Sequence, residues 1–276
     1  MIIDSHQHFW KYDSNKHQWI GKKMQTLRKN FLPEELEPLL LENNIDGCIA
    51  VQAVQSEEET HFLLALANEH SFIKGVVGWV DLCAEDIEDR LKHFSKNTIL
   101  KGIRHVLEAE NLSFMSKPSF LNGIRKLKEF NLTYDILIDS TQLTAAEILV
   151  SNFPNQAFVI DHIAKPNIKN REFEKWATQI SLFGKHKNVC CKISGLVTQA
   201  NWNNWSSEQI IPYLDHIFHV FGIDRIMYGS DWPVCLLSST YKEQLNIVQN
   251  YISIFSIDDQ KRIMRDTAVR FYRIKK

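Results

Sequence analysis

A chain of 276 residues, 44% of them hydrophobic and 24% charged, has enough apolar material for one large buried core. A formal net charge of −1 offers no basic face to a nucleic acid or an anionic membrane, and no run reaches the roughly 20 apolar residues that span a bilayer. The cysteines (Cys48, Cys83, Cys190, Cys191 and Cys235) contain no C-x-x-C pair and read as reduced thiols. With no basic stretch and long apolar run near Met1, the cytoplasm is the expected compartment.

The first strand is expected over 2–8. His6 and His8, two residues apart, share a strand face and, with Asp4 below them, are expected to point into one mouth. A helix over 33–43 stops at Asn43-Asn44, and a strand over 47–52 ends in Gln52. Ser56 ahead of Glu57-Glu58-Glu59 marks the N-cap of a helix over 57–70, with acids in the turn where the helix dipole favours them. A strand over 74–80 and a helix over 85–94 lead to a strand over 101–105 that ends in Arg104 and His105. After a helix over 120–129, the strand over 133–138 carries Asp135, and Thr144 with Glu147 has capping-box spacing for a helix over 144–153.

The apolar run before Asp161 fits a buried parallel strand over 156–162, which ends in His162. A helix over 173–183 precedes a strand over 189–194, in which Cys190, Lys192 and Ser194 share one face and Cys191 takes the other. A helix over 207–221 stops at Phe221-Gly222, and in the strand over 225–231 Met227, Gly229 and Asp231 alternate onto one face. The last helical pattern covers 258–272. Strands alternating with helices, with no linker or repeat, read as one α/β domain over 1–276, a (β/α)8 TIM-like barrel. The main irregular stretches, 9–31, 106–119 and 232–241, all follow strand C-termini, the barrel face on which active sites are built.

A barrel brings His6, His8, His162 and Asp231 to one end. An aspartate there can act as general base toward water, and imidazoles can polarise a carbonyl oxygen. His6, His8 and Asp231 could equally hold a single divalent metal such as zinc. Arg104 could hold a substrate oxygen by its planar fork. Lys192, inside a barrel, needs a partner, and either Asp135 or the substrate could supply it. Gln52, His105, Trp10, Trp79, Trp205 and Trp232 fall at strand ends or in the loops beyond, where they could line a pocket.

Assembled in this order, the chain resembles the amidohydrolase superfamily, and within it the lactonase branch of L-fuconolactonase, L-rhamnonolactonase and 2-pyrone-4,6-dicarboxylate lactonase types. The resemblance rests on Asp4-Ser5-His6-Gln7-His8-Phe9-Trp10, Gly102-Ile103-Arg104-His105, Asp161-His162-Ile163-Ala164-Lys165-Pro166, Lys192-Ile193-Ser194-Gly195-Leu196 and Tyr228-Gly229-Ser230-Asp231-Trp232-Pro233-Val234. It implies hydrolysis of a small-molecule lactone, with Asp231 activating water, His6, His8 and His162 stabilising the oxyanion, and Arg104, Lys192 and aromatic rim residues orienting the substrate. It implies no obligatory metal. The strand over 133–138 lacks the histidine that a binuclear amidohydrolase centre requires, so any metal would be a single ion on His6, His8 and Asp231, with His162 as a further candidate. The alternative is a metal-dependent decarboxylase or hydrolase of the same superfamily, acting on another small carboxylic substrate. Few basic residues besides Arg104, Lys165 and Lys192 are available for a dicarboxylate, so a neutral or singly charged sugar lactone is expected.

Overall fold

The computed structural model describes residues 2–275. Eight parallel strands follow in sequence order: β1 (Ile3–Gln7), β2 (Gly47–Val51), β3 (Ile73–Gly78), β4 (Leu100–Val106), β5 (Thr133–Leu137), β6 (Phe158–Ile160), β7 (Val189–Ile193) and β8 (Ile226–Tyr228). A parallel bridge between Gln7 and Trp232, with His8 N–H donating to the Trp232 carbonyl at 2.7 Å, joins the last turn to the first strand. The result is the expected α/β barrel.

The helices α1 (Pro33–Glu42), α2 (Glu57–Glu69), α3 (Ile87–Phe94), α4 (Pro118–Leu127), α5 (Leu143–Asn152), α6 (Glu174–Ile180) and α7 (Ser207–Phe221) alternate with the strands. Ser56 caps α2 by accepting from Glu59 N–H, and Gly222, at φ 67°, ends α7. The cap expected at Thr144 lies elsewhere: α5 opens one residue earlier, and Asp139 with Gln142 forms the capping box of the short turn ahead of it.

The barrel's own eighth helix is α8 (Tyr241–Ile252), which the sequence reading left unassigned, although Thr240 and Glu243 form its capping box. The pattern over 258–272 is an additional element. It runs as α9 (Ile257–Lys261), a π-helical turn (Arg262–Asp266) and α10 (Thr267–Phe271). Ala268, Phe271, Tyr272 and Ile274 pack against the inward-facing Ile3, Ile49, Val51, Val77, Val159, Cys190 and Met227. This segment therefore stoppers the barrel opposite the mouth.

Strand alternation separates two cores. Cys48, Ala50, Val76, Ile103, Tyr134, Ile136, Ile160 and Cys191 face the helices, while the set against α10 fills the interior. Cys190 and Cys191 accordingly point to opposite sides, and all the cysteines are free thiols. In β1 the alternation is interrupted. The register passes from Asp4 opposite Cys48 to Gln7 opposite Ala50, so three residues of β1 span two of β2. This bulge corrects the placement of Asp4: it lies on the helix side, where its carboxylate accepts from Tyr241 Oη at 3.1 Å and Ser230 N–H at 2.8 Å. His6 and His8 keep the inner face.

Candidate active site

His162 and Asp231, expected as the final residues of their strands, stand just beyond them. β6 ends at Ile160, and His162, Ile163, Ala164 and Lys165 all take left-handed backbone angles, φ 53°, 49°, 60° and 46°. Asp231 does the same at φ 58°. For non-glycine residues each such angle costs roughly 1 kcal/mol or more, and its concentration at one rim is typical of a functional site. The turn brings the His162 ring back to the mouth.

Three donor atoms converge there. His6 Nε2 lies 3.2 Å from His8 Nε2 and 3.8 Å from Asp231 Oδ1, and His8 Nε2 lies 3.4 Å from the same oxygen. His162 Nε2 stands 3.8 Å from Asp231 Oδ1. Glycine makes this approach possible. A Cβ on Gly229 would sit 2.6 Å from His6 Cβ, and one on Gly195 would sit 2.7 Å from His162 Nδ1.

The second contact of each imidazole orients it. His8 Nδ1 donates to the Val51 carbonyl at 2.8 Å, so neutral His8 offers the cleft a lone pair at Nε2. His162 Nδ1 meets Ser194 Oγ at 2.9 Å, and a hydroxyl proton donated there leaves the Nε2 proton facing the cleft. His6 Nδ1 lies 3.1 Å from Lys192 Nζ and 3.4 Å from Asp161 Oδ1. Burial holds all three imidazoles toward the neutral form: His6 falls well below its ordinary value, His8 falls, and His162 falls to about 4. For Asp231 burial works the other way, but the polar and basic neighbours His162, His8 and Lys165 outweigh it and hold the carboxyl below the usual carboxylate range.

An ion layer supports these groups. Lys192 Nζ, fully buried, donates to Asp135 Oδ2 at 2.6 Å and pairs with Asp161 Oδ1 at 3.0 Å. The expected Asp135 partner is therefore in place, and Lys192 is enclosed beneath the cleft. Arg104 Nη1 donates to Asp161 Oδ2 at 3.1 Å and lies 3.3 Å from His6 Nε2. Its Nε and Nη2 are taken by the Gln52 side chain and carbonyl. The planar fork is thus already occupied, and Arg104 presents positive charge to the cleft instead. Asp161, which ties His6, Lys192 and Arg104 together, carried no assigned role in the sequence reading. Its signals were its place at the end of a buried apolar run and at the head of the Asp161–Pro166 motif.

The cleft above has a volume of about 540 Å³. His8, His162, Asp231 and Arg104 line its floor; Trp19, Val106, Leu137 and Val234 give it an apolar wall, and Glu108 with Lys165 a charged rim. Trp19, Glu108 and Leu137 were not singled out from sequence. The aromatic candidates lie elsewhere. Trp10 is buried with Nε1 donating to the Lys29 carbonyl, and it lines an adjoining cavity with Phe9, His17 and Phe62. Trp232 packs between Phe9 and Phe31. His105 is held between Trp79 Nε1 and Glu110 and stacks on Phe114. Their shared position at strand ends was real, but each side chain is directed into the loop packing around the mouth.

His6 Nε2, His8 Nε2 and Asp231 Oδ1, 3.2 to 3.8 Å apart, have the spacing of donors around one ion at about 2.1 Å. The Val51 carbonyl behind His8 and Asp161 behind His6 are the backing such ligands need. The donor set therefore fits a single divalent ion, with His6, Asp161 and His162 a second close group.

A parallel eight-stranded barrel whose mouth gathers inward histidines from its first strand with an aspartate beyond its eighth has the build of an amidohydrolase. The amidohydrolase family model matches residues 3–274, and the chain belongs to that family. An L-fucono-1,5-lactonase of Burkholderia multivorans is 35% identical over 98% of this chain and 95% of its own length. A zinc-bound amidohydrolase structure from Burkholderia multivorans aligns over the whole of both chains, with a TM-score of 0.96 and 35% identity. A probable 2-pyrone-4,6-dicarboxylic acid hydrolase of Acinetobacter baumannii, 17% identical over 98% of both chains at a TM-score of 0.78, shares the fold.

Proposed function

We propose that the protein hydrolyses a sugar-acid lactone, with Asp231 activating the attacking water. The observation that carries this reading is the meeting of Asp231 Oδ1 with His8 Nε2 and His162 Nε2, at 3.4 and 3.8 Å, on the floor of the cleft. The lactonase relative, 35% identical over nearly all of both chains, supports it.

The chemistry follows from the proton positions. Asp231, kept ionised, takes a proton from water as the water oxygen bonds to the lactone carbonyl carbon. The oxyanion that develops is met by the His162 Nε2 proton and by the positive field of Arg104. Collapse breaks the ring C–O bond, the proton held at Asp231 passes to the departing ring oxygen, and the open hydroxy acid results. His8 differs here from the role expected of it, because its Nε2 offers a lone pair; it accepts a proton or a ligand bond. A divalent ion held by His6, His8 and Asp231 would supply Lewis-acid polarisation of the carbonyl.

The wall chemistry favours a neutral substrate. Arg104 is committed to Asp161 and Gln52, and Lys165 Nζ is paired with Glu108 at 2.5 Å, so neither lining cation is free for a carboxylate. A sugar lactone has hydroxyls for the charged rim and C–H faces for Trp19 and its apolar neighbours.

A panel of aldonolactones and pyrone lactones, followed by proton release with metal content measured on the same samples, tests the assignment. Turnover of neutral aldonolactones is expected, with Asp231→Asn losing about 10²–10⁴-fold in kcat while still binding substrate. A panel without turnover, or a fully active Asp231→Asn, would overturn it.

A further inference from the structure

The ion layer under His6 does not end at Lys192. Asp135 Oδ2, which accepts from Lys192 Nζ at 2.6 Å, also accepts from Tyr272 Oη at 2.6 Å. Tyr272, at the C-terminal end of α10, is fully buried, and its ring lies 5.5 Å from Lys192 Nζ. One chain of contacts therefore runs from the stopper at the closed end, through Tyr272, Asp135 and Lys192, to His6 Nδ1 at 3.1 Å. Apolar packing alone does not account for it. Phe271 and Ile274 fill the same end of the barrel without a polar atom, whereas Tyr272 places its hydroxyl on the carboxylate that holds Lys192.

Lys192 has three ammonium protons and three neighbours: Asp135, Asp161 and the His6 ring. The place of the ammonium beside the His6 ring is set by how firmly the two carboxylates hold it. If Asp135 turns, the ammonium follows it, and His6 loses the shorter of the two contacts at its Nδ1. We infer that Tyr272 is a positioning residue for the reaction: the C-terminal helix holds Asp135 and Lys192 so that His6 keeps its orientation at the opposite end of the barrel.

Tyr272→Phe tests this, because it keeps the packed ring and removes one hydroxyl. Partners behind an active-site histidine typically contribute 10–100-fold. A kcat loss of that order is expected, with KM within about twofold and a displaced ring-nitrogen NMR signal for His6. Ile274→Ala loosens the same stopper without touching Asp135; it should lower Tm and leave kcat and the His6 signal unchanged. Should Tyr272→Phe fail to fold, Asp135→Asn, which removes the carboxylate charge facing Lys192 while keeping an acceptor for Tyr272, is expected to shift the His6 signal in the same way. Wild-type kcat with an unmoved His6 signal in Tyr272→Phe, or an equal kcat loss in Ile274→Ala, would refute the inference. The kinetic arm rests on the lactonase reading, and the NMR arm does not. A wild-type enzyme inactive on every lactone would count against that reading, while the His6 signal alone would decide the role of Tyr272.

Discussion

A single methyl group added at Gly229 would have to share space with His6. The new Cβ would lie 2.6 Å from His6 Cβ, 3.2 Å from the His6 backbone nitrogen and 3.2 Å from Ser194 Cβ. Carbon atoms rest at about 3.5–4.0 Å, so roughly 1 Å of displacement is required. It cannot be taken up by a flexible side chain, because all three contacts are with the backbone or Cβ atoms of His6 and Ser194. His6 is pressed toward His8 and Arg104, which already stand 3.2 and 3.3 Å from its Nε2. Overpacking of this kind costs about 1–3 kcal/mol of stability, and a 1 Å misplacement of a reacting group about 10²-fold in rate. Gly229→Ala should therefore fold, melt a few degrees lower, and lose about two orders of magnitude in kcat/KM, although no polar atom has changed. The measurements are lactone hydrolysis by proton release and thermal unfolding on one preparation. A variant within twofold of wild type in kcat/KM would refute the claim that glycine is needed there for the approach of His6.

Removing the rim carboxylate by Glu108→Gln should release Lys165 from its 2.5 Å partner and raise kcat/KM about tenfold for lactones bearing a carboxylate relative to neutral ones; an unchanged ratio across a matched substrate pair would count against the charge argument. Glu59 gives a pH prediction. Burial pushes its carboxyl up to about 7 despite hydrogen bonds from the Ala53 and Val54 backbone. Its folded value lies above its unfolded value of 4.5, so its stabilising contribution is complete below pH 4.5 and is lost as pH rises to about 7. The stability deficit of Glu59→Gln should therefore shrink between pH 4.5 and 8 by up to about 3 kcal/mol, measured by urea unfolding at both pH values; a deficit that grows would reverse the sign argued for Glu59.

The barrel was legible because its strands are buried on both faces and read as apolar runs between amphipathic stretches. The pairing of Lys192 with Asp135 was legible for a related reason: period-two alternation places both inside, where a charge needs a partner. Asp4 was misplaced because a bulge changes the period locally, and nothing in Asp4-Ser5-His6 announces an extra residue. Residues 241–252 were passed over because polar positions outweigh the apolar spacing of Tyr241, Leu245, Val248 and Ile252. The pattern over 258–272 was legible as a helix, but nothing in it tells a stopper from a barrel helix. The roles of Asp161, quoted only as part of a motif, and of Tyr272 were not legible because their partners lie on other elements, and no local spacing encodes a contact that only closure creates. The tryptophans illustrate the converse: a position at the rim was legible, and the direction of the side chain was not.

The bridge between Gln7 and Trp232 makes the mouth a junction of the chain's first strand and its last. His6 and His8 are separated from the carboxylate of Asp231 by more than two hundred residues of sequence, a gap that only closure of the barrel removes. A polypeptide that stops short of β8 keeps the imidazoles and lacks Asp231, and one that stops short of α10 lacks the stopper. The cleft is in this sense a product of closure: its donor groups come together only where the first and last strands of the barrel meet.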